Sequence, residues 1–237
     1  SHEKALGADD SLQAAAYYRG LADKAAARFT DAEKAFKTAL SLKGDYTIEA
    51  DAELALVQKI MRAMPGTDVG QRLALQEAIT RADAAAIFLH ELQLARLFAI
   101  NGKTPKAVPD VRDIAEHPLR TDIETILGLG LRGLEVGRDQ RFSPDTKITR
   151  AAYALMIEDI IATVSHDDKL RVRHIGAPSP FPDVPSDAPY FNAVMVCTSR
   201  GILVTADVLS GAFEPNGKVS GADALLAIRV LREKLRF

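Results

Sequence analysis

The chain lacks tryptophan altogether and has a single cysteine among its 237 residues. One thiol excludes an internal disulfide framework. That thiol, Cys197, lies in the apolar stretch AVMVC, which predicts a buried structural side chain rather than a nucleophile. No apolar run approaches the ~20 residues that span a bilayer, so we expect no transmembrane segment. The opening letters SHEKALGADD also lack the apolar segment of a secretory signal.

An excess of charge of one sign is missing too, since 30 basic and 32 acidic residues give a formal net charge of −2. This balance gives no reason to expect nucleic acid as a partner. The histidines show no metal-ligand spacing, the glycines of GLGLRG (128–133) lack the spacing of a phosphate loop, and no G-x-S-x-G motif occurs. We therefore expect no metal, no cofactor and no catalytic residue, and hence no enzyme.

What the chain does contain is a repeat. The tetrapeptide ITRA stands at 79–82 and again at 148–151. At an offset of 71, residues 141–157 align with residues 212–228, and the identical pairs include Phe142 with Phe213, Pro144 with Pro215 and Lys147 with Lys218. The pattern predicts two copies of a unit of about 70 residues, and the earlier ITRA marks a degenerate first copy.

Each unit is predicted to be two helices joined by a loop that carries glycine and proline. Residues 154–164 and 222–235 place apolar side chains at three- and four-residue spacing, as an amphipathic helix does. Residues 48–64 provide the first helix of the degenerate copy. The first 45 residues predict two packed helices with a turn near residues 29–31.

We therefore predict a mainly α fold in four segments: a helical hairpin at 1–47, a degenerate unit at 48–103, and further units at 104–175 and 176–237. The hairpin is similar to a tetratricopeptide repeat at a few small and aromatic positions, namely Gly20, Ala32, Phe36 and Ala39. A generic alanine-rich hairpin accounts for those positions as well.

The recurring motif combines a helix start with an unexpected cation. Thr80, Thr149 and Ser220 each precede a helix, where their hydroxyls are expected to accept a hydrogen bond from the third helical amide. Arg81 and Arg150 follow, at a position where a cation opposes the helix dipole. Neither capping nor helix propensity explains an arginine there, so we expect an anion to face it. A carboxylate of a neighbouring unit and an acidic ligand both satisfy that expectation.

Taken together, the elements of the unit resemble the S-layer homology domain, over roughly residues 50–237. That family's pattern is F-x-D-V, a helix, G-I or G-L, a loop ending in F-x-P, and I-T-R-A-E at the start of a second helix. The third copy reads FPDV, GIL and FEP in this order, and the second reads VPDV, GLGLRG, FSP and ITRA. The third copy departs from the pattern at Gly221, which replaces the arginine, and the aromatic that often follows D-V is Tyr190 there and Leu119 in the second copy.

The resemblance implies three units around a pseudo-threefold axis that bind a cell-wall-linked glycan, often one with an acidic substituent. The positions that match the family's binding residues are Thr80, Arg81, Thr149, Arg150, Asp110, Asp183 and Tyr190. It implies a protein of the cell envelope, exported through a signal peptide that this chain lacks. In the alternative interpretation the units are only a scaffold, and the protein acts through contacts with an envelope protein, made by the hairpin.

Overall fold

The structure is a computed structural model that describes the backbone of residues 2–235 and the side chains of residues 11–235. Over that range the regular structure is helical and contains no β-strand, which confirms the mainly α class. A 3₁₀ helix, Asp168–Val172, accompanies ten α-helices. These are α1 His2–Ala25, α2 Phe29–Leu42, α3 Thr47–Ala63, α4 Asp68–Leu73, α5 Arg81–His90, α6 Leu94–Ile100, α7 Arg120–Leu129, α8 Arg150–Ser165, α9 Phe191–Ser199 and α10 Gly221–Leu235.

Helices α1 and α2 pack against each other through small and aromatic side chains. A β-carbon on Gly20 would lie 2.5 Å from the ring of Phe36, so the glycine is what lets the ring sit against α1. The turn lies earlier than predicted, at residues 26–28, and Phe29 already belongs to α2. The reason is that Ala27 adopts the left-handed conformation, with φ of 56°, so that α1 cannot continue past this residue.

Helix α3 joins these two helices to the rest of the molecule. Its Ala50 and Val57 belong to the small apolar cluster of α2, whereas Ile60 and Ala63 belong to the main core. The predicted helix over 48–64 is confirmed to within one residue at each end. Because the two halves of α3 pack on different neighbours, the hairpin is docked on the remaining helices through apolar contact.

Tyr153 on α8 is the largest fully buried side chain of the main core. Its ring stacks on Phe88 of α5 with centroids 5.2 Å apart, and its hydroxyl donates to the carbonyl of Ala224 on α10 at 2.9 Å. Helices α5, α8 and α10 therefore meet at one fully buried phenol, whose polar atom is satisfied as burial requires. Cys197 is also fully buried, as predicted, and burial raises the pKa of its thiol, which keeps it unreactive.

A buried polar network fixes the chain after α8. Glu158 is fully buried and pairs with Arg132 at 2.5 Å and with the amide of Asn192. Asn192 in turn accepts a hydrogen bond from the backbone N–H of His174 at 2.7 Å. The imidazole Nε2 of His174 is buried without a hydrogen-bond partner among the described residues. Charge at this imidazole is therefore unfavourable in the folded protein.

Candidate functional site

The recurring motif starts a helix in all three places where it was found. The hydroxyl of Thr80 accepts from the N–H of Asp83 at 3.0 Å, and the Asp83 carboxylate accepts from the N–H of Thr80 at 2.8 Å. Thr149 accepts from the N–H of Ala152 at 3.2 Å, and Ser220 from the N–H of Asp223 at 3.1 Å. The predicted helix caps are thus confirmed.

Next to each of the first two caps, the backbone pairs with a distant loop. Arg81 and Ala82 donate to the carbonyls of Thr146 and Pro144 at 2.9 and 3.0 Å. We call the contact of residues 79–82 with residues 142–147 the first seam. Arg150 and Ala151 donate in the same way to Gly217 and Pro215, both at 2.9 Å. This contact of residues 148–151 with residues 213–218 is the second seam.

A third seam returns to the start of the series. Residues 219–222 contact residues 73–79, where the N–H of Gly221 donates to Gln76 at 2.9 Å and the N–H of Ile79 donates to Val219 at 2.9 Å. Ile79 also accepts from the N–H of Ile148, at 3.0 Å. Each ITRA-like segment therefore touches the loop of the next, and the last touches the loop of the first.

The two arginines bind the loops across their seams. In the first seam, Nε of Arg81 donates to the carbonyl of Phe142 at 2.7 Å, Nη2 donates to that of Glu135 at 2.8 Å, and the guanidinium lies 4.8 Å from the centroid of the Phe142 ring. In the second, Arg150 donates to Phe213 at 2.7 Å and to Val204 at 2.5 Å, and lies 4.6 Å from the Phe213 ring. Each guanidinium thus holds a loop by its backbone and stacks on its phenylalanine.

Carbonyl groups, rather than a carboxylate, face these cations. Among the described side chains no carboxylate oxygen lies within 4.0 Å of either guanidinium. Burial lowers the pKa of Arg81, against the opposing effect of Glu135 and Asp113, and it lowers that of Arg150 in the same way. Both remain cations at neutral pH because the pKa of arginine is so high. The first and second seams therefore each hold a partly desolvated positive charge with no counter-ion in contact among the described side chains.

Gly221 occupies the arginine position of the third seam for a steric reason. A β-carbon there would lie 1.6 Å from the carbonyl oxygen of Leu73 and 2.6 Å from its carbonyl carbon. Leu73 stands where Phe142 and Phe213 stand in the other loops, but it ends α4, and the helix brings its carbonyl up to α10. The contact between Gly221 and Leu73 thus accounts for both the missing arginine of the third copy and the divergent loop of the first.

An aspartate upstream of each later loop holds the loop's turn. Asp183 accepts from the N–H groups of Phe213 and Glu214 at 2.9 and 2.6 Å, and Asp113 accepts from those of Phe142 and Ser143, both at 2.8 Å. The counterpart of Asp183 is therefore Asp113 and not Asp110, which is exposed three residues earlier. The identity of the letters PDV pointed to the wrong residue. The correct alignment places VRDI (111–114) over FPDV (181–184). The signal for it is the apolar residue after each aspartate, since Ile114 and Val184 are both buried.

Tyr190 lies apart from the seams. It precedes α9, is half-buried, and packs its ring on the main core. Leu119 holds the same place before α7 and is likewise packed on the core. Tyr190 and Leu119 thus pack on the main core at equivalent positions of the two units.

The comparison with known proteins matches one part of this arrangement to a family. Residues 180–225 match the S-layer homology domain, and this stretch includes Asp183, Tyr190, the loop of the second seam and the cap at Ser220. No curated protein matches the chain. This stretch is therefore similar to the S-layer homology domain, a kind of module that in general binds cell-wall glycans and occurs in cell-surface proteins.

Two further features of the described residues bear on function. Across residues 2–235, no helix combines the length and the apolar character that a membrane crossing requires. Among the side chains that the structure describes, no group of three or more histidine, cysteine, aspartate or glutamate residues is placed to hold a metal ion.

Proposed function

We propose that the protein is a non-enzymatic part of the cell envelope, held non-covalently to a cell-wall-linked glycan by three S-layer-homology-like units. The units are those at 48–103, 104–175 and 176–237, arranged about a pseudo-threefold axis. The match at residues 180–225 supports the type of module. The first and second seams have the same pattern of backbone hydrogen bonds at equivalent positions of the repeat. This shared pattern supports the assignment of the two units outside the matched residues to the same type of module.

The observation that carries the proposed site is the unneutralised charge at Arg81 and Arg150. A guanidinium has five N–H groups, and Arg150 uses only Nε and one Nη2 group on carbonyls. The remaining donors and the full positive charge are left for an anionic ligand. A desolvated cation without a counter-ion is unfavourable, so an acidic group on the glycan stabilises it. The arginines would thus both hold the loop and contact the ligand.

The remaining residues of the proposed site position the arginines or add contacts for the ligand. Thr80 and Thr149 set the start of the helix that presents each arginine, and Asp183 shapes the loop opposite Arg150. Asp110 lines a surface cleft of about 450 Å³ together with Arg120. Tyr190 is only half-buried, and the part of its ring that does not pack on the core would supply an aromatic face for a sugar. The third seam has no arginine and no room for one. We therefore propose two glycan sites per chain rather than three.

Co-sedimentation with purified wall material tests this proposal. We expect the wild type to pellet with the wall and the double variant Arg81→Gln, Arg150→Gln to remain in solution, as long as thermal melting shows it folded. The matched control is Lys34→Gln, Lys37→Gln, which removes two exposed positive charges from α2. Undiminished binding by a folded double variant would reject the assigned site. No binding of the wild type to any wall preparation would reject the function.

A second candidate function rests on the hairpin, which we propose is tetratricopeptide-like and contacts an envelope protein. Three of the five tyrosines cluster there: Tyr17 stacks on Tyr46 at 4.9 Å, and Tyr18 meets Tyr46 edge-on at 5.6 Å. Tyr18 is 56% exposed, and the nearby Ile48 is 83% exposed. Tyrosine is enriched at protein interfaces, and an exposed apolar side chain beside it adds apolar area to the surface.

Cross-linking in envelope extract distinguishes this candidate from the first. We expect Tyr18→Ser, Ile48→Ser to abolish a defined cross-link and to leave wall binding intact. If the variant keeps every cross-link of the wild type, the hairpin surface is not the interface.

A further inference from the structure

A cleft of about 600 Å³ lies on the side of the molecule formed by α6 and α10. Its lining includes Leu92, Leu97, Val164 and Leu235, of which the first two are almost completely buried. Arg96 on α6 and Arg232 on α10 line the same cleft and are exposed. The volume is in the range of small-molecule sites, and the lining combines an apolar surface with a few charged groups, as such sites do.

The two arginines of the cleft are not paired with an acidic side chain in the part of the chain that the structure describes. Among the described side chains, no carboxylate lies within 4.0 Å of either guanidinium. Glu91 is the one acidic residue among the described residues of the lining, and its carboxylate accepts hydrogen bonds from the backbone N–H groups of Gly66 and Thr67 and from the Thr67 hydroxyl, at 2.6–3.1 Å. Two positive charges on separate helices thus line one cleft, and both would attract an anion bound there.

We propose that this cleft binds a monomeric single-chain anionic amphiphile, such as a fatty-acid carboxylate. The carboxylate contacts the guanidinium groups of Arg96 and Arg232, whose planar fork matches its two oxygens. The alkyl chain lies along Leu97, Val164 and Leu235. Ile100, which is 72% exposed beside the cleft, extends the apolar surface. This site is separate from the three seams and does not depend on glycan binding.

Calorimetric titration of the full chain tests the proposal, with dodecanoate kept below its critical micelle concentration. We expect dodecanoate to bind, and we expect no measurable binding of butanoate, which lacks the chain, or of dodecyltrimethylammonium, which reverses the charge of the head. The variant Arg96→Gln, Arg232→Gln should weaken dodecanoate binding by about tenfold or more, since it removes both charge-assisted contacts. Both side chains are exposed, so the variant is expected to fold.

The control Lys34→Gln, Lys37→Gln removes the same charge from a distant helix and should keep the wild-type affinity. Equal binding of the ammonium amphiphile, an unchanged affinity of the double arginine variant, or no binding of dodecanoate would each overturn the proposal. So would binding only to anionic vesicles, which would indicate a membrane surface. Self-association that disappears in the double arginine variant would indicate a second copy of the chain as the occupant, and it would also overturn the proposal.

Discussion

A β-carbon on Gly221 would lie 1.6 Å from the carbonyl oxygen of Leu73. This approach closes the third seam, because the N–H of Gly221 reaches the carbonyl of Gln76 at 2.9 Å only if the backbones come this near. The third copy therefore has glycine in place of arginine at the position that faces the helix of the first loop. The contact explains a departure from the repeat that sequence comparison alone leaves unexplained.

The first prediction is that Gly221→Ala destabilises the protein although it adds only one methyl group. The neighbour is backbone, which cannot move aside as a flexible side chain can, so we expect a loss of at least about 1–3 kcal/mol in the free energy of unfolding. Urea denaturation measures it. Gly66→Ala is the control, since the nearest atom to its β-carbon would be 3.8 Å away. Equal effects of the two substitutions would contradict the steric account.

The second prediction concerns the hydrogen bonds of Arg150 to the loop. Arg150→Lys keeps the charge but not the fork that reaches Phe213 and Val204 together. We expect a loss of about 1.5–3 kcal/mol in the free energy of unfolding, the range for hydrogen bonds to charged groups. Arg120→Lys, at an exposed arginine that pairs with Glu124, should have little effect. If Arg150→Lys is equally harmless, the carbonyl contacts do not stabilise the seam.

The third prediction separates the aspartates that hold loops from the one that does not. Asp113→Asn and Asp183→Asn each replace one of two acceptor oxygens by a donor, so one backbone N–H of the loop loses its partner. We expect each to lower the free energy of unfolding by about 1–2 kcal/mol. Asp110→Asn should leave it unchanged. Should Asp110→Asn prove the most damaging of the three, the alignment of Asp113 with Asp183 would be wrong.

The fourth prediction is a loss of stability in mild acid caused by His174. Burial lowers the pKa of its imidazole, and Arg173 and Arg200 lower it further. The unfolded chain therefore takes up the proton at higher pH than the folded protein does. The resulting stability is present above the ordinary histidine pKa of about 6.5 and is lost as the pH falls through the lower value of the folded state.

Urea denaturation at a series of pH values measures this effect. We expect the wild type to lose stability more steeply than His174→Gln as the pH falls below about 6.5, and the two proteins to run parallel at higher pH. Parallel curves throughout would show that His174 is not responsible.

Much of the helical content could be predicted because its causes are local. The apolar spacing of residues 222–235 and the cap at Ser220 are signals within a few residues of one another, and α10 follows them. Short helices were not predicted, because they contain too few residues to show such a local signal. Helix α6 spans only Leu94–Ile100, so its period is barely sampled, and it forms because Leu94, Leu97 and Phe98 are buried in the main core.

The sequence by itself determined where helices begin, which residues repeat, and that Arg81 and Arg150 are not explained by their own helices. Periodicity and capping are chemistry between near neighbours, so the letters record them. Only the tertiary structure decided what those arginines touch, why Gly221 replaces a third one, and that Asp113 is the counterpart of Asp183. The partners in all three cases are backbone groups of distant loops, which every residue carries and which therefore leave no mark in the sequence.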